Sequence, residues 1–316
     1  MKKLIVILGP TAAGKSEMAV KIAKKFNGEV ISADSRQVYR GMDIGTGKVS
    51  RDRNWKLESN PSGSPLCVQG NWKLYSHSGI LHYLLDVASP KRRFTVVQYR
   101  KLALEAIKKI LKNVHVPILC GGTGFYIQAV VDGIIIPEVP PDWRLRLNLN
   151  KFQTEVLFNK LKKLDPRRAK IIDKNNRRRL IRALEIVIKT KKPVPILKKN
   201  PLPYPVLMIG IKKEPEVLKK IIEKRLLKRF RQGMIKEVKK LHKSGISWKR
   251  LEEFGLEYKW IARYLQKKVN YEEMVEKLKK DIEHFAKRQM TWFKRDKRIK
   301  WVKNYQEAEK LIKKFL

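Results

Sequence analysis

Gly9-Pro10-Thr11-Ala12-Ala13-Gly14-Lys15-Ser16 is a full match to the phosphate-loop pattern G-x-x-x-x-G-K-[ST], and no other segment constrains this chain as tightly. The apolar run Leu4-Ile5-Val6-Ile7-Leu8 leads straight into it and predicts a buried strand. After it, from Glu17 to Phe26, Met18, Ala19, Ile22, Ala23 and Phe26 fall at helical spacing. Strand, glycine loop and helix in that order are the frame the motif requires. Backbone N–H groups and the helix N-terminus then converge on phosphate oxygens, Lys15 adds a point charge, and the Ser16 hydroxyl can ligate Mg²⁺. A chance glycine-rich turn would not arrive with that frame, so a diphosphate or triphosphate is expected here.

Strand and helix signals keep alternating over the first 133 residues. Glu29-Val30-Ile31-Ser32-Ala33-Asp34 reads as a strand ending in an acid, followed by a glycine-punctuated segment from Arg36 to Lys48. Residues 50–80 are polar and turn-rich, with Asn60-Pro61-Ser62-Gly63-Ser64-Pro65 and isolated Trp55 and Trp72. They read as an inserted excursion, at most a small hairpin, lying outside the sheet. A helix is expected over 96–112, then the strand Val116-Pro117-Ile118-Leu119-Cys120, which ends at Gly121-Gly122-Thr123-Gly124 and opens a helix over 125–131. Such alternation predicts an α/β fold, a mostly parallel sheet flanked by helices, with ligands at the carboxyl ends of the strands. Asp34, the 9–16 loop and the 121–124 loop should share that edge.

Pro137, Pro140 and Pro141 mark a boundary, and residues 143–190 are helical in pattern and strongly basic. Pro193, Pro195, Pro201, Pro203 and Pro205 form a second linker, after which the strand Val206-Leu207-Met208-Ile209-Gly210-Ile211 returns to the sheet. Helices fill most of the remainder, with a short strand over 299–302 and a terminal helix. The expected organisation is a catalytic core over 1–140 (with the 50–80 excursion), a basic helical insertion over 141–204, and a return to the core over 205–316. Most lysines after 214 lie on amphipathic helices and read as a solvated face.

The chain carries 73 Lys and Arg against 30 Asp and Glu, a formal net charge of +43 over 316 residues. A polyanionic partner, nucleic acid above all, is the natural expectation. A Lys-biased genome or a hot environment spreads lysine over every surface, but does not produce the run Arg177-Arg178-Arg179 with Arg182 one turn on. Cys67 and Cys120 have no close spacing, which excludes a disulfide scaffold and a cysteine-rich zinc site and fits a reducing cytoplasm. No stretch approaches bilayer-spanning length, so no membrane association is expected.

A phosphate loop alone names no reaction. The usual companion for nucleotide hydrolysis is an apolar strand ending in a metal-binding Asp. Val30-Ile31-Ser32-Ala33-Asp34 is a poor version, because Ser32 breaks the run. Asp34 is therefore either a metal ligand, a general base aimed beside the phosphate loop, or simply a turn residue.

Four further blocks narrow the choice. Gly9 to Ser16 together with Ser32-Ala-Asp-Ser-Arg-Gln-Val-Tyr-Arg-Gly-Met-Asp-Ile-Gly-Thr46 resembles the tRNA dimethylallyltransferase (isopentenyl-tRNA transferase) family. So do Gly121-Gly-Thr-Gly-Phe-Tyr126, Arg182-Ala-Leu-Glu185 and Ala286-Lys-Arg-Gln-Met-Thr-Trp292, in family order along nearly the whole chain. The resemblance implies a P-loop NTPase-like core with an inserted all-helical tRNA-binding domain. It implies transfer of a dimethylallyl group from dimethylallyl diphosphate to N6 of adenine 37, in tRNAs reading codons that start with U. Its implied cofactor is Mg²⁺ on Ser16, with the diphosphate held by Gly9, Pro10, Thr11, Ala12, Ala13, Gly14, Lys15 and Ser16. An arginine, Arg225 or Arg229, joins them, at the start of a helix that looks shortened by about a turn.

By the same resemblance Asp34 is the general base, with the Thr11 hydroxyl holding the amine or the diphosphate. Asp34, Ser35, Arg36 and Gln37 would meet the tRNA, and Thr123, Arg178, Arg179, Leu180, Ile181 and Arg182 would grip the anticodon stem-loop, helped by Arg146. A monomeric cytoplasmic enzyme of bacterial type is implied. Three departures stand out. His82-Tyr83 replaces a His-His pair, so no metal or acid–base role falls on His82. Arg178-Arg179 stands where Gln-Arg is common, and the 50–80 insertion is unusual. A small-molecule kinase would use the same loop on ATP but need neither the 32–46 block nor a basic helical insertion, an isopentenyltransferase acting on free AMP, ADP or ATP would need no basic insertion, and a non-catalytic RNA-binding module would not need Lys15 and Asp34 together.

Overall fold

The computed structural model describes residues 2–52, 75–134, 139–196 and 199–316. The chain divides into two compact units, one of Met1–Gly133 with Pro201–Leu316, the other of Ile134–Asn200.

In the first unit the strands are β1 (Leu4–Leu8), β2 (Gly28–Ala33), β3 (Tyr75–His77), β4 (Ile80–Tyr83), β5 (Val116–Gly121), β6 (Val206–Ile211) and β7 (Lys300–Val302). They form a sheet ordered β3-β4-β2-β5-β1-β6-β7, parallel throughout except for the antiparallel β3–β4 pair. The unbroken apolar run of β1 follows from its central place: all five residues are buried. Alternation splits them between two cores. Leu4, Val6 and Leu8 pack on one face with α2 (Val96–Lys112) and α3 (Gly124–Val131), while Ile5 and Ile7 pack on the other with α1 (Lys15–Lys25). A capping box of Thr95 and Gln98 starts α2 at the residue the sequence predicts.

One expectation is corrected here. The end of the supposed excursion belongs to the sheet: Tyr75–His77 and Ile80–Tyr83 make a hairpin, and Val30↔His82 and Ile31↔Tyr83 tie it to β2. The turn is Ser78-Gly79, both with positive φ, the hairpin chemistry that short strands need. The rest of the excursion, including Trp55, Trp72 and the 60–65 turn cluster, lies outside the described residues.

The helices after β6 are α8 (Pro215–Arg231), α9 (Met234–Lys243), α10 (Trp248–Glu253), α11 (Leu256–Leu265), α12 (Tyr271–Phe293) and α13 (Tyr305–Phe315). In chain order they follow α4–α7 of the second unit: α4 (Trp143–Leu149), α5 (Thr154–Leu164), α6 (Pro166–Ile171) and α7 (Arg177–Thr190). A second correction concerns α8. No helix begins at Arg225; Pro215 at the first helical position starts this one, and Arg225 lies well inside it.

The second unit has its own core of Leu149, Leu157, Leu161, Leu180, Leu184 and Val187. Asp142, Asp165 and Asn176 cap α4, α6 and α7 by accepting backbone N–H bonds. Its isolated bridge joins Ile134 to Lys199.

Candidate active site

At the carboxyl ends of β1, β2 and β5 a cavity of about 500 Å³ opens in the first unit. The phosphate loop forms one wall. Gly14 takes φ 90° as the N-cap of α1, a left-handed conformation that costs glycine little. Lys15 donates from Nζ to the Pro10 carbonyl at 2.6 Å, and Ser16 stands exposed in the first turn of α1. Burial in the cavity pulls Lys15 down to about 8; neighbouring Cys120 and Asp34 push it up, and Arg225 pushes it further down.

Asp34, one residue past β2, lines the same cavity. Its Oδ1 accepts the N–H groups of Arg36 at 2.8 Å and Gln37 at 3.3 Å. That turn fixes the carboxylate and leaves Oδ2 without a hydrogen bond among the described residues. The following loop is tied down residue by residue. Ser35 donates its N–H to Thr123 Oγ1 at 3.0 Å, and Gln37 Oε1 accepts from Ser32 Oγ at 3.0 Å. Arg36 Nη1 donates to Glu257 Oε2 at 2.7 Å. Farther on, the N–H groups of Asp43, Ile44 and Gly45 all donate to the Glu237 carboxylate, at 2.9, 2.6 and 3.0 Å.

Across the cavity stand Arg225 and Arg229, one helical turn apart on α8. They are not equivalent. Arg229 donates from Nη1 to Glu257 Oε1 at 2.8 Å and to the Gly45 carbonyl at 3.3 Å. Arg225 has no carboxylate partner among the described residues, and burial, with Arg229 beside it, lowers it to about 10. A free guanidinium facing a lysine and a row of loop N–H groups is an anion site.

Two families match the chain: IPP transferase over residues 71–296 and isopentenyl transferase over residues 2–59. A protein of Acetivibrio thermocellus named tRNA dimethylallyltransferase is 38% identical over 323 residues, covering 99% of this chain and 96% of that protein. The chain belongs to the IPP transferase family. Among solved structures, the tRNA isopentenylpyrophosphate transferase of Bacillus halodurans superposes with TM-score 0.68 at 35% identity, covering 100% of this chain and 95% of that one. A eukaryotic dimethylallyltransferase acting on tRNA superposes with TM-score 0.71 at 26% identity, over 92% of this chain and 70% of that one.

In this family member the first unit brings together the 9–16 loop, Asp34, Gln37, Arg225 and Arg229, with Ser35, Arg36 and Thr123 in the adjoining loops. The residues proposed from sequence in the second unit part ways. Arg178 and Arg179 are exposed at the start of α7 and have no acidic partner among the described residues. Leu180 and Ile181 are 0% and 6% exposed, so their side chains build the core: on α7 they point inward while the arginines before them point out. Arg146 forks onto fully buried Glu185, Nε to Oε1 at 2.8 Å and Nη2 to Oε2 at 2.7 Å, and Arg182 joins the same carboxylate. Both arginines thus aim N–H groups at one carboxylate inside the unit.

Three side chains that matter here carry no assignment in the sequence reading. Gln289 of α12 accepts the Thr11 N–H and donates to the Gly122 carbonyl, both at 2.8 Å. Glu237 and Glu257 hold the loop after Asp34. Gln289 stands inside the 286–292 block, which was a usable signal; the two glutamates had none.

Proposed function

We propose that the chain transfers a dimethylallyl group from dimethylallyl diphosphate to N6 of adenine 37 in the anticodon stem-loop of tRNAs reading codons that begin with U. The observation that carries this is the cavity itself, with a carboxylate, Asp34, beside a phosphate loop and opposite Arg225, which has no carboxylate partner among the described residues. In this reading Lys15, Arg225 and the loop N–H groups neutralise the departing diphosphate. The adenine amine forms a bond to the allylic carbon as the carbon–oxygen bond to diphosphate breaks. Asp34, through its unengaged Oδ2, accepts the N6 proton, without which a weak exocyclic amine would gain charge as it attacks. Phosphate–oxygen bonds stay intact. The target base leaves its stack to enter the cavity.

The residues present fit Mg²⁺ of the kind that arrives with its substrate. Among the described residues no group of three or more His, Cys, Asp or Glu can hold a metal, whereas Ser16 offers an exposed hydroxyl beside the phosphate position. Mg²⁺ commonly takes one or two protein oxygens, substrate phosphates and waters. When bound it would supply further charge neutralisation to the diphosphate.

The test is a stem-loop RNA and free AMP offered in parallel with dimethylallyl diphosphate and Mg²⁺. A dimethylallyl adduct on the stem-loop adenine is expected; transfer to AMP with none to the stem-loop would overturn the tRNA reading. Asp34→Asn should lower turnover by about a hundredfold or more while leaving diphosphate binding in place. Equal loss of both would make Asp34 a metal ligand.

A further inference from the structure

Arg36 and Arg229 share one acceptor. Glu257, in the first turn of α11, is 2% exposed, and its two oxygens divide between Arg36 at 2.7 Å and Arg229 at 2.8 Å. The two arginines reach it from different places: one from the loop that carries Asp34, the other from the cavity wall on α8. The helix N-terminus favours an anion at this position. Burial opposes the carboxylate's charge, but the two guanidiniums hold it below the usual range. The Arg229 guanidinium also comes close to the Gly47 backbone, where a Cβ would stand 2.1 Å from its Nη2.

Without Glu257 the cavity would present Lys15, Arg225 and Arg229 to one diphosphate. Charge that binds the ground state and the product as firmly as the transition state gains nothing in turnover and slows release. We propose that Glu257 is a positioning residue that withholds Arg229 from the diphosphate and anchors Arg36 beside Asp34. Diphosphate affinity is thereby set by Arg225, and the loop carrying the base keeps its place. A charge-assisted pair from each oxygen makes Glu257 the joint between the diphosphate wall and the Asp34 loop.

The inference rests on the diphosphate reading of the cavity, and inorganic pyrophosphate tests both by calorimetry on the full chain. Arg225→Gln should weaken pyrophosphate binding by about tenfold or more, the worth of one charge-assisted hydrogen bond. Arg229→Gln should change it by less than about threefold. Glu257→Gln should tighten pyrophosphate severalfold and lower KM for the allylic diphosphate, while kcat falls by about tenfold. Adding Arg229→Gln to Glu257→Gln should return pyrophosphate affinity to that of the unaltered chain. A carboxylate that only held the fold would give weaker binding and a higher KM in Glu257→Gln. Equal losses in Arg225→Gln and Arg229→Gln would overturn the inference even if Glu257→Gln failed to fold, and would leave the diphosphate reading standing. No pyrophosphate binding by the unaltered chain would end both.

Discussion

Gln289 and the backbone of Thr11 meet at 2.8 Å, the amide oxygen of a residue near the end of α12 accepting an N–H of the phosphate loop. Its Nε2 donates to the Gly122 carbonyl at the same distance. One buried side chain therefore fixes the loops after β1 and β5 relative to each other. Gln289→Leu keeps the volume and strands both backbone groups, at a cost of about 1–3 kcal/mol. Urea denaturation should show that loss, and pyrophosphate affinity should fall with it. Lost stability with unchanged affinity would mean that the phosphate loop holds its own shape.

Lys15 makes binding sensitive to alkali. Its ammonium in the free protein is half-populated near pH 8, nearly complete about one pH unit below and lost above, because cavity burial lowers its value to about 8. A bound diphosphate favours the charged form and raises it again. Affinity is therefore full well below pH 8 and falls as pH rises through it, by up to tenfold per pH unit, with proton uptake on binding. Calorimetry at several pH values checks this against Lys15→Arg, whose guanidinium stays charged. The substituted chain should retain only the titration of the ligand itself; an identical profile in both would remove Lys15 from the effect.

Much of this site was legible because parallel topology does the gathering. Once β1, β2 and β5 are read as buried parallel strands, their carboxyl ends must share an edge, and the 9–16 loop, Asp34 and the 121–124 loop go with them. The place of the β3–β4 hairpin in the sheet escaped because three- and four-residue strands beside a polar, turn-rich stretch give no usable periodicity. Glu257 and Gln289 escaped for another reason: their partners, Arg36 and Thr11, lie more than two hundred residues away in sequence. Helical periodicity alone sets Leu180 and Ile181 on the core face and Arg178 and Arg179 on the solvent face of one basic segment.

Glu185 makes the second unit sensitive to acid. It is fully buried and accepts the Asp142 N–H at 2.6 Å as well as both arginines. Burial pushes its carboxyl up, but the hydrogen bonds of Arg146 and Arg182 outweigh that and hold it below its usual 4.5. A depressed carboxyl contributes stability that is present above 4.5 and is lost as pH falls through its folded value. Glu185→Gln leaves two guanidiniums without their acceptor and should cost about 3 kcal/mol. Hydrogen exchange of α4 and α7 amides reads this locally: protection should fall at neutral pH, and its acid dependence should flatten.

Arg178 and Arg179 should carry RNA affinity that Arg146 and Arg182 do not, although all four are cationic and close in sequence. The difference is where the counter-charge already sits. Arg146 and Arg182 both bond the single Glu185 carboxylate within their own unit, so a phosphate would have to compete with a buried carboxylate for their N–H groups. Arg178 and Arg179 are exposed, and each can release one condensed counterion when it meets a phosphate. Replacing both with Ala should weaken stem-loop binding and reduce the slope of log affinity against log salt by about 1.4 to 1.8, the value for two phosphate contacts. Arg146→Gln with Arg182→Gln should leave that slope unchanged and lower stability instead. A slope indifferent to Arg178 and Arg179 would return them to an ordinary solvated helix face, and the +43 charge would then need another site of action.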